Sequence, residues 1–170
     1  MTSGLTKYIR YKRKRLDEQA KQPGGPSRLE ARAVAEGRAG VRRIFIREYQ
    51  VISDGRQAGG GFDLGPAPGE LLLGSLAACL NHGFLIQAAL LDLELDAVEV
   101  EVEASIAPGV IGVASAEPVE LGLAYTAKII SQASDEQLEY LRKRVELNSF
   151  VFNVVTRGSS VAGRIERTAA

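Results

Sequence analysis

The sequence predicts an α+β fold, and three observations predict it. Apolar and polar residues alternate in segments that come as neighbouring pairs, 28–36 with 41–52 and 98–106 with 121–129, which marks strands. A long apolar segment at 70–91 separates the two pairs and reads as a helix. Two further helical segments, at 134–148 and 149–156, follow the second pair. Hairpin-joined strands with helices set between the pairs point to α+β rather than to a repeated βαβ architecture.

Each element has its own signal. Residues 1–22 read as a basic helix or arm with a thin apolar stripe of Leu5, Ile9 and Leu16. Gln22-Pro23-Gly24-Gly25-Pro26-Ser27 ends it, so 1–27 is an arm with its linker and 28–170 is one domain. In the first strand Leu29, Ala31, Ala33 and Ala35 share a face, and Glu36-Gly37-Arg38-Ala39-Gly40 reads as a hairpin turn. Residues 41–52, rich in Val, Ile, Phe and Tyr, form the second strand, and 53–69 is a Gly/Pro-rich loop around Gly59-Gly60-Gly61. After the long helix, Val98, Val100, Val102 and Ile106 alternate with Glu99, Glu101 and Glu103, giving a strand with one wet face. Ala107-Pro108-Gly109 breaks it, and Leu121, Leu123, Tyr125, Ala127 and Ile129 mark its partner. Ser134-Asp135-Glu136-Gln137 is a capping box opening a helix with Leu138, Leu141 and Val145 on one face. A shorter helix at 149–156 stops at Gly158, and 160–167 reads as a closing strand.

Composition narrows the function. The chain has 170 residues, 45% hydrophobic and 25% charged, which suits one soluble globular domain with a real core. Net charge is zero, so the molecule as a whole has no long-range field to steer it to nucleic acid or membrane. The charge is uneven, however. Lys7, Arg10, Lys12, Arg13, Lys14 and Arg15 precede the first acid, Asp17, and Tyr8 and Tyr11 interleave with them. Such a patch could hold phosphates, but a solvated helix that packs on a dimer is the plainer reading, and nucleic acid is not the expected partner. Cys79 is the single cysteine, so no intramolecular disulfide forms; a reducing, cytoplasmic location is the simpler expectation. No secretory pattern is visible in the basic first fifteen residues.

The segment Leu71 to Leu91 is long and apolar enough to span a bilayer. Its flanks argue otherwise: Glu70 precedes it, Asp92, Glu94 and Asp96 follow, and no basic residue anchors either end. Asn81, His82 and Gln87 would also sit in hydrocarbon. A helix buried all round in a soluble protein is expected instead.

At 100° per residue, that helix presents Leu72, Ser75, Leu76, His82, Gly83 and Ile86 on the same side as Cys79, and Glu70 on the opposite side. A neighbouring imidazolium favours thiolate, the reactive form of cysteine, whereas apolar surroundings disfavour it. A lone cysteine in an apolar helix is more often packing than chemistry. One cysteine and one histidine cannot supply a soft metal site, and the loop at 59–61 lacks the Lys-Ser/Thr ending of a phosphate-binding loop.

The stretch Gly59-Gly60-Gly61-Phe62-Asp63-Leu64-Gly65-Pro66-Ala67-Pro68-Gly69-Glu70-Leu71-Leu72-Leu73-Gly74-Ser75-Leu76-Ala77-Ala78-Cys79 resembles the central signature of the OsmC/Ohr family. The stretch Leu138 to Arg157 is similar to that family's second site, where a helix ends at a second cysteine followed by proline. The resemblance covers the chain from about residue 28 onward and leaves the basic arm outside it. It implies an OsmC-like fold, with antiparallel sheets wrapped around long central helices in an intertwined homodimer.

It also implies an activity, reduction of organic hydroperoxides in oxidative-stress defence. In the family a thiolate attacks peroxide, a second cysteine resolves the sulfenic acid, and an external dithiol reduces the disulfide. A glutamate and an arginine keep the thiolate reactive. Cys79 matches the attacking cysteine. The resolving position falls at Asn148 or Ser149, so no resolving thiol exists. The glutamate position aligns with Gly69, with Glu70 one residue late. Arg38 matches the arginine turn, Arg47 is the alternative, and His82 joins Cys79, Arg38 and Glu70 as a candidate site residue. The resulting expectation is a one-cysteine thiol peroxidase that needs no cofactor, uses an external thiol or dithiol, and takes a small hydrophobic peroxide. The alternative is a non-catalytic binding protein with a hydrophobic ligand pocket at the dimer interface.

Overall fold

The structure, a computed structural model, describes residues 3–22, 24–25, 27–37, 39–105 and 122–167. The elements run α1 (Gly4–Lys21), β1 (Arg32–Glu36), β2 (Val41–Ile46), β3 (Tyr49–Ser53), a 3₁₀ turn (Gln57–Gly59), α2 (Pro68–Leu90), β4 (Leu95–Ser105), β5 (Gly122–Ser131), α3 (Asp135–Asn148) and α4 (Phe150–Arg157). The α+β architecture is as expected, with two antiparallel sheets, β1-β2-β3 and β4-β5.

The body forms around α2. Leu76, Leu80, Phe84, Ala88 and Ala89 of α2 meet Leu95 of β4, Leu141 and Val145 of α3, and Ile9 of α1 in one buried cluster. Strand alternation supplies the second layer. Val98, Val100 and Val102 of β4 and Leu123, Tyr125, Ala127 and Ile129 of β5 turn inward, while Glu99, Glu101 and Glu103 face solvent. Ile106 and the Ala107-Pro108-Gly109 break lie outside the described residues.

The basic segment is a full helix docked on this body. Ser3 caps α1, Ile9 is buried, and the Thr6 hydroxyl donates to the Leu95 carbonyl at 3.1 Å. Arg13 Nη1 donates to the Ala89 carbonyl at 3.1 Å and the Leu90 carbonyl at 2.9 Å. Those carbonyls close α2 and have no partner inside their helix, and the helix dipole favours a cation there. Leu93 N–H returns to Ala88 O at 3.0 Å across Asp92, whose φ of 53° completes a Schellman-type end. Replacing Arg13 by Ala is expected to cost about 1–2 kcal/mol in urea unfolding, whereas Lys14→Ala stays within about 0.5 kcal/mol.

Three expectations need correction. The single strand expected at 41–52 is two strands, joined by the turn Arg47-Glu48 with Ile46 opposite Tyr49. Arg47 takes a φ of 55° without the Gly, Asn or Asp that normally signals such a turn. Residues 160–167 form no strand: Val161 and Ile165 are 91% and 98% exposed, and the segment pairs with none of the described strands. And α2 is not buried all round. It is the described helix long and apolar enough to cross a membrane, yet α1, β4, α3 and α4 pack on it, and Leu72, Gly74, Ser75, Ala78 and His82 remain exposed along its free side.

The β1-β2-β3 sheet stands apart from the α2 body, making no substantial contact with it. The loop from Asp54 to Ala67 connects them. Asp54, 2% exposed, accepts the amides of Gly55 (2.7 Å), Phe62 (2.9 Å) and Leu64 (3.3 Å). Burial would raise its carboxyl, but these hydrogen bonds and the Arg42 charge outweigh it and hold it below the usual range. Gly61 is obligatory in this clasp, since a Cβ there would lie 1.9 Å from Gly55 O. The Gly-rich loop therefore serves its own hydrogen bonding.

Candidate functional site

Cys79 lies half-buried near the middle of α2. What faces it is set by the crossing of α2 and α3. At Gly83 a Cβ would stand 2.9 Å from Val145 Cγ1, so α3 approaches α2 closely there. One turn back along α2 is Cys79, and one turn on from Val145 is Ser149. Their side chains meet, Cys79 Sγ to Ser149 Oγ at 3.2 Å. Ser149 is 3% exposed and caps α4, accepting the Phe152 amide. Asn148 is exposed and donates to Arg144 O at 2.7 Å. Of the two positions open in the sequence, Ser149 is the one opposite Cys79.

The other candidates go elsewhere. His82 Nε2 lies 3.4 Å from Lys12 Nζ of α1, and burial followed by the Lys12 charge holds the imidazole below its ordinary value. His82 is thus neutral at pH 7 and is tied to the arm. Glu70 pairs with Arg56, and its other oxygen accepts the Ala67 amide at 2.8 Å at the start of α2. The Arg56 hydrogen bond, then the Ala67 amide, keep this carboxyl well ionised below its usual range. Glu70 and Cys79 are nine positions apart, about 13 Å along the axis and on opposite sides. Arg47 sits at the β2–β3 turn, 5.0 Å from the Tyr49 ring. Arg38 lies outside the described residues. Within one chain, therefore, the described structure holds two separate groups: Cys79 with Ser149, and Glu70 with Arg56.

Arg56 is absent from the sequence-based candidates. One signal was available: no Lys or Arg occurs between it and Lys128. It is the last cation before α2, on the loop leading to the Glu70 end of that helix.

Among the described residues no group of three or more His, Cys, Asp and Glu side chains could hold a metal ion. Three of the arm's six leading cations are paired within the chain. Arg10 pairs with Glu94, Arg13 with Asp17 and the end of α2, and Arg15 with Glu18 at 2.7 Å. A groove of about 490 Å³ runs along Tyr8, Tyr11, Lys12 and Arg15. A second, of about 450 Å³, lies between β5 and α3 over Phe84 and Leu138. Tyr125 borders it and donates to Glu146 at 2.7 Å; burial and that carboxylate push its hydroxyl up to about 12.

The OsmC-like protein family matches residues 60–162, well over half of the chain and including Cys79 and Ser149. Solved structures share the fold at low identity. An OsmC-like protein from Mycoplasma pneumoniae superposes with a TM-score of 0.66 and 18% identity, over 79% of this chain and 90% of that one. An organic hydroperoxide resistance protein from Legionella pneumophila gives 0.62 and 19% identity, over 78% and 92%. A Vibrio cholerae protein assigned to organic hydroperoxide resistance, with captopril bound in one of its active sites, gives 0.61 and 23%, over 81% and 90%. No curated protein sequence is similar enough to match. The chain belongs to the OsmC-like protein family.

Proposed function

We propose that this protein is a one-cysteine thiol peroxidase for organic hydroperoxides and works as a homodimer. The observation that carries the reading is the Cys79–Ser149 contact, which puts an alcohol where the family resemblance implies a resolving thiol. The chemistry balances with an external reductant. Cys79 thiolate attacks the distal peroxide oxygen, the O–O bond breaks, and the alcohol leaves with a proton. The sulfenic acid then condenses with a small thiol, releasing water, and a second thiol frees Cys79 as a small disulfide forms. Without a second cysteine in the chain, a reductant is needed to prevent overoxidation. Captopril is itself a thiol, and its place in an active site of the Vibrio cholerae relative supports thiol access at such a site.

One feature supports a second copy: the β1-β2-β3 sheet and the open side of α2 lack partners in the described chain. In this reading the Arg56–Glu70 pair of one copy completes the Cys79 site of the other. Arg38 is the second candidate for the arginine.

One equivalent of an organic hydroperoxide should convert the reduced protein to a form 16 Da heavier, with one alcohol released per chain and no disulfide. A monothiol should then sustain turnover. Arg56→Ala should slow it about a hundredfold, the scale of losing one charge-stabilising donor; an unchanged rate would move the role to Arg38. If hydroperoxide survives one equivalent of fully reduced protein, the peroxidase reading fails.

A further inference from the structure

Ser149 has two neighbours and one proton to give. Its Oγ accepts the Phe152 amide at 3.3 Å, which fixes the hydroxyl as the cap of α4. A serine hydroxyl keeps one O–H to donate. Among the described residues, Cys79 Sγ lies within its reach at 3.2 Å; either atom can donate while the sulfur is a thiol, but only the hydroxyl can once the sulfur is a thiolate. A thiol sulfur accepts weakly, whereas a hydrogen bond to an ionised group is roughly twice as strong. The contact therefore favours the sulfur in its charged form. The first-turn amides of α4 lie behind the hydroxyl, and their partial positive charge acts in the same sense. The placement is not a matter of one rotamer. Ser149 is 3% exposed, and the tight approach at Gly83 and Val145 sets the register of both helices one turn away.

We propose that Ser149 is the hydrogen-bond donor that holds the Cys79 sulfur as thiolate and keeps the oxidised sulfur turned toward α4, leaving its opening to a small external thiol. The inference rests on the thiol-peroxidase reading of the site and adds the residue that activates it. In the opening step the small thiolate attacks the sulfur of the sulfenic acid. An S–S bond forms, the S–O bond breaks, and the oxygen leaves as water after taking a proton. Ser149 gives up no atom in this sequence. Its hydroxyl cannot substitute for a resolving thiol, because an alcohol is a far weaker nucleophile than a thiolate at neutral pH.

The test is the alkylation of Cys79 by iodoacetamide in the full-length reduced protein, followed from pH 6 to 10. Ser149→Ala should react about tenfold more slowly than the parent at pH 7, the scale of one hydrogen bond to a charged group. The gap should close as the pH is raised toward 10. Ser149→Thr, which keeps the hydroxyl, should recover most of the parent rate. A cap lost without an electronic role would not give a pH-dependent gap. Equal rates for parent and a folded Ser149→Ala across the whole range would overturn the proposal.

Should Ser149→Ala not fold, Ser149→Cys decides the placement. Diamide, which takes two electrons and two protons from a thiol pair, should join Cys79 to the introduced thiol, with the loss of two hydrogens seen by mass. A shift of about 1 Å from the present 3.2 Å suffices to reach bonding distance. Two free thiols after diamide treatment of the folded variant would show that position 149 does not face Cys79, and the proposal falls. Neither measurement uses a peroxide. If the alkylation contrast appears but hydroperoxide is not consumed, Ser149 keeps its role and the peroxidase reading is lost.

Discussion

Cys79→Ser is expected to bring hydroperoxide turnover down to the rate without protein, a loss of roughly three orders of magnitude or more. The chain has no other cysteine, and its one methionine is Met1, so no second thiolate can take over. A serine at 79 has nearly the same size, but its hydroxyl is hardly ionised at neutral pH and attacks a peroxide oxygen poorly. The fold should not object. Cys79 is half-buried and already faces the Ser149 hydroxyl, so the substitution replaces a sulfur contact by an ordinary hydroxyl pair. Urea unfolding of the variant should therefore stay within about 1 kcal/mol of the parent. Stability kept and turnover lost would assign the chemistry to one sulfur. Equal turnover in parent and variant, after metal removal and in the presence of the same thiol, would mean that the reductant alone consumes the peroxide.

The fold was readable where local period and burial agree. β4 and β5 alternate because one face is wet, and the glutamates of β4 mark that face unmistakably. α3 was announced by its capping box, and Ser134 does accept the Gln137 amide, at 3.3 Å. The β2–β3 turn was not readable, because Arg47 takes a positive φ in a two-residue turn that carries no turn residue. The closing strand failed for another reason. Alternation at Val161 and Ile165 shows that a segment suits a strand, but a strand also needs an edge to pair with, and this segment pairs with none of the edges that β1, β3, β4 and β5 leave open. The site divides in the same way. Cys79 stands out as the one thiol, and the position opposite it was narrowed to two neighbouring residues. Choosing Ser149 required the helix crossing at Gly83, and helix periodicity does not contain that. Arg56 meets Glu70 across a fourteen-residue loop clasped by Asp54, a contact that spacing along one element cannot reveal. His82 shares a helix side with Cys79 by angle, yet the side chain lies against Lys12 of α1, a contact that periodicity along α2 does not contain.

Phe84→Ala should produce the largest loss of stability from any single core change, about 3–5 kcal/mol. Phe84 is 1% exposed and is the largest of the fully buried side chains. It fills the space where α2, β5 and α3 meet, beside Tyr125, Ala127, Ile129 and Leu138. Truncation would remove most of its buried apolar area and extend the groove already open between β5 and α3. The helices can close over that space only by shifting α3, and the crossing at Gly83, where an added Cβ would stand 2.9 Å from Val145 Cγ1, leaves little room for that. The melting temperature should fall by about 6–20 °C for a chain of this length, measured at one protein concentration because the unfolding of the proposed dimer would depend on it. The loss should also reach the chemistry. α3 carries Ser149 to Cys79, so a loosened α3 should lower the alkylation rate of Cys79 at pH 7 while the protein is still folded. A loss below about 1 kcal/mol would mean that the space at Phe84 collapses freely. The register that brings Cys79 to Ser149 would then depend on Gly83 and Val145 alone.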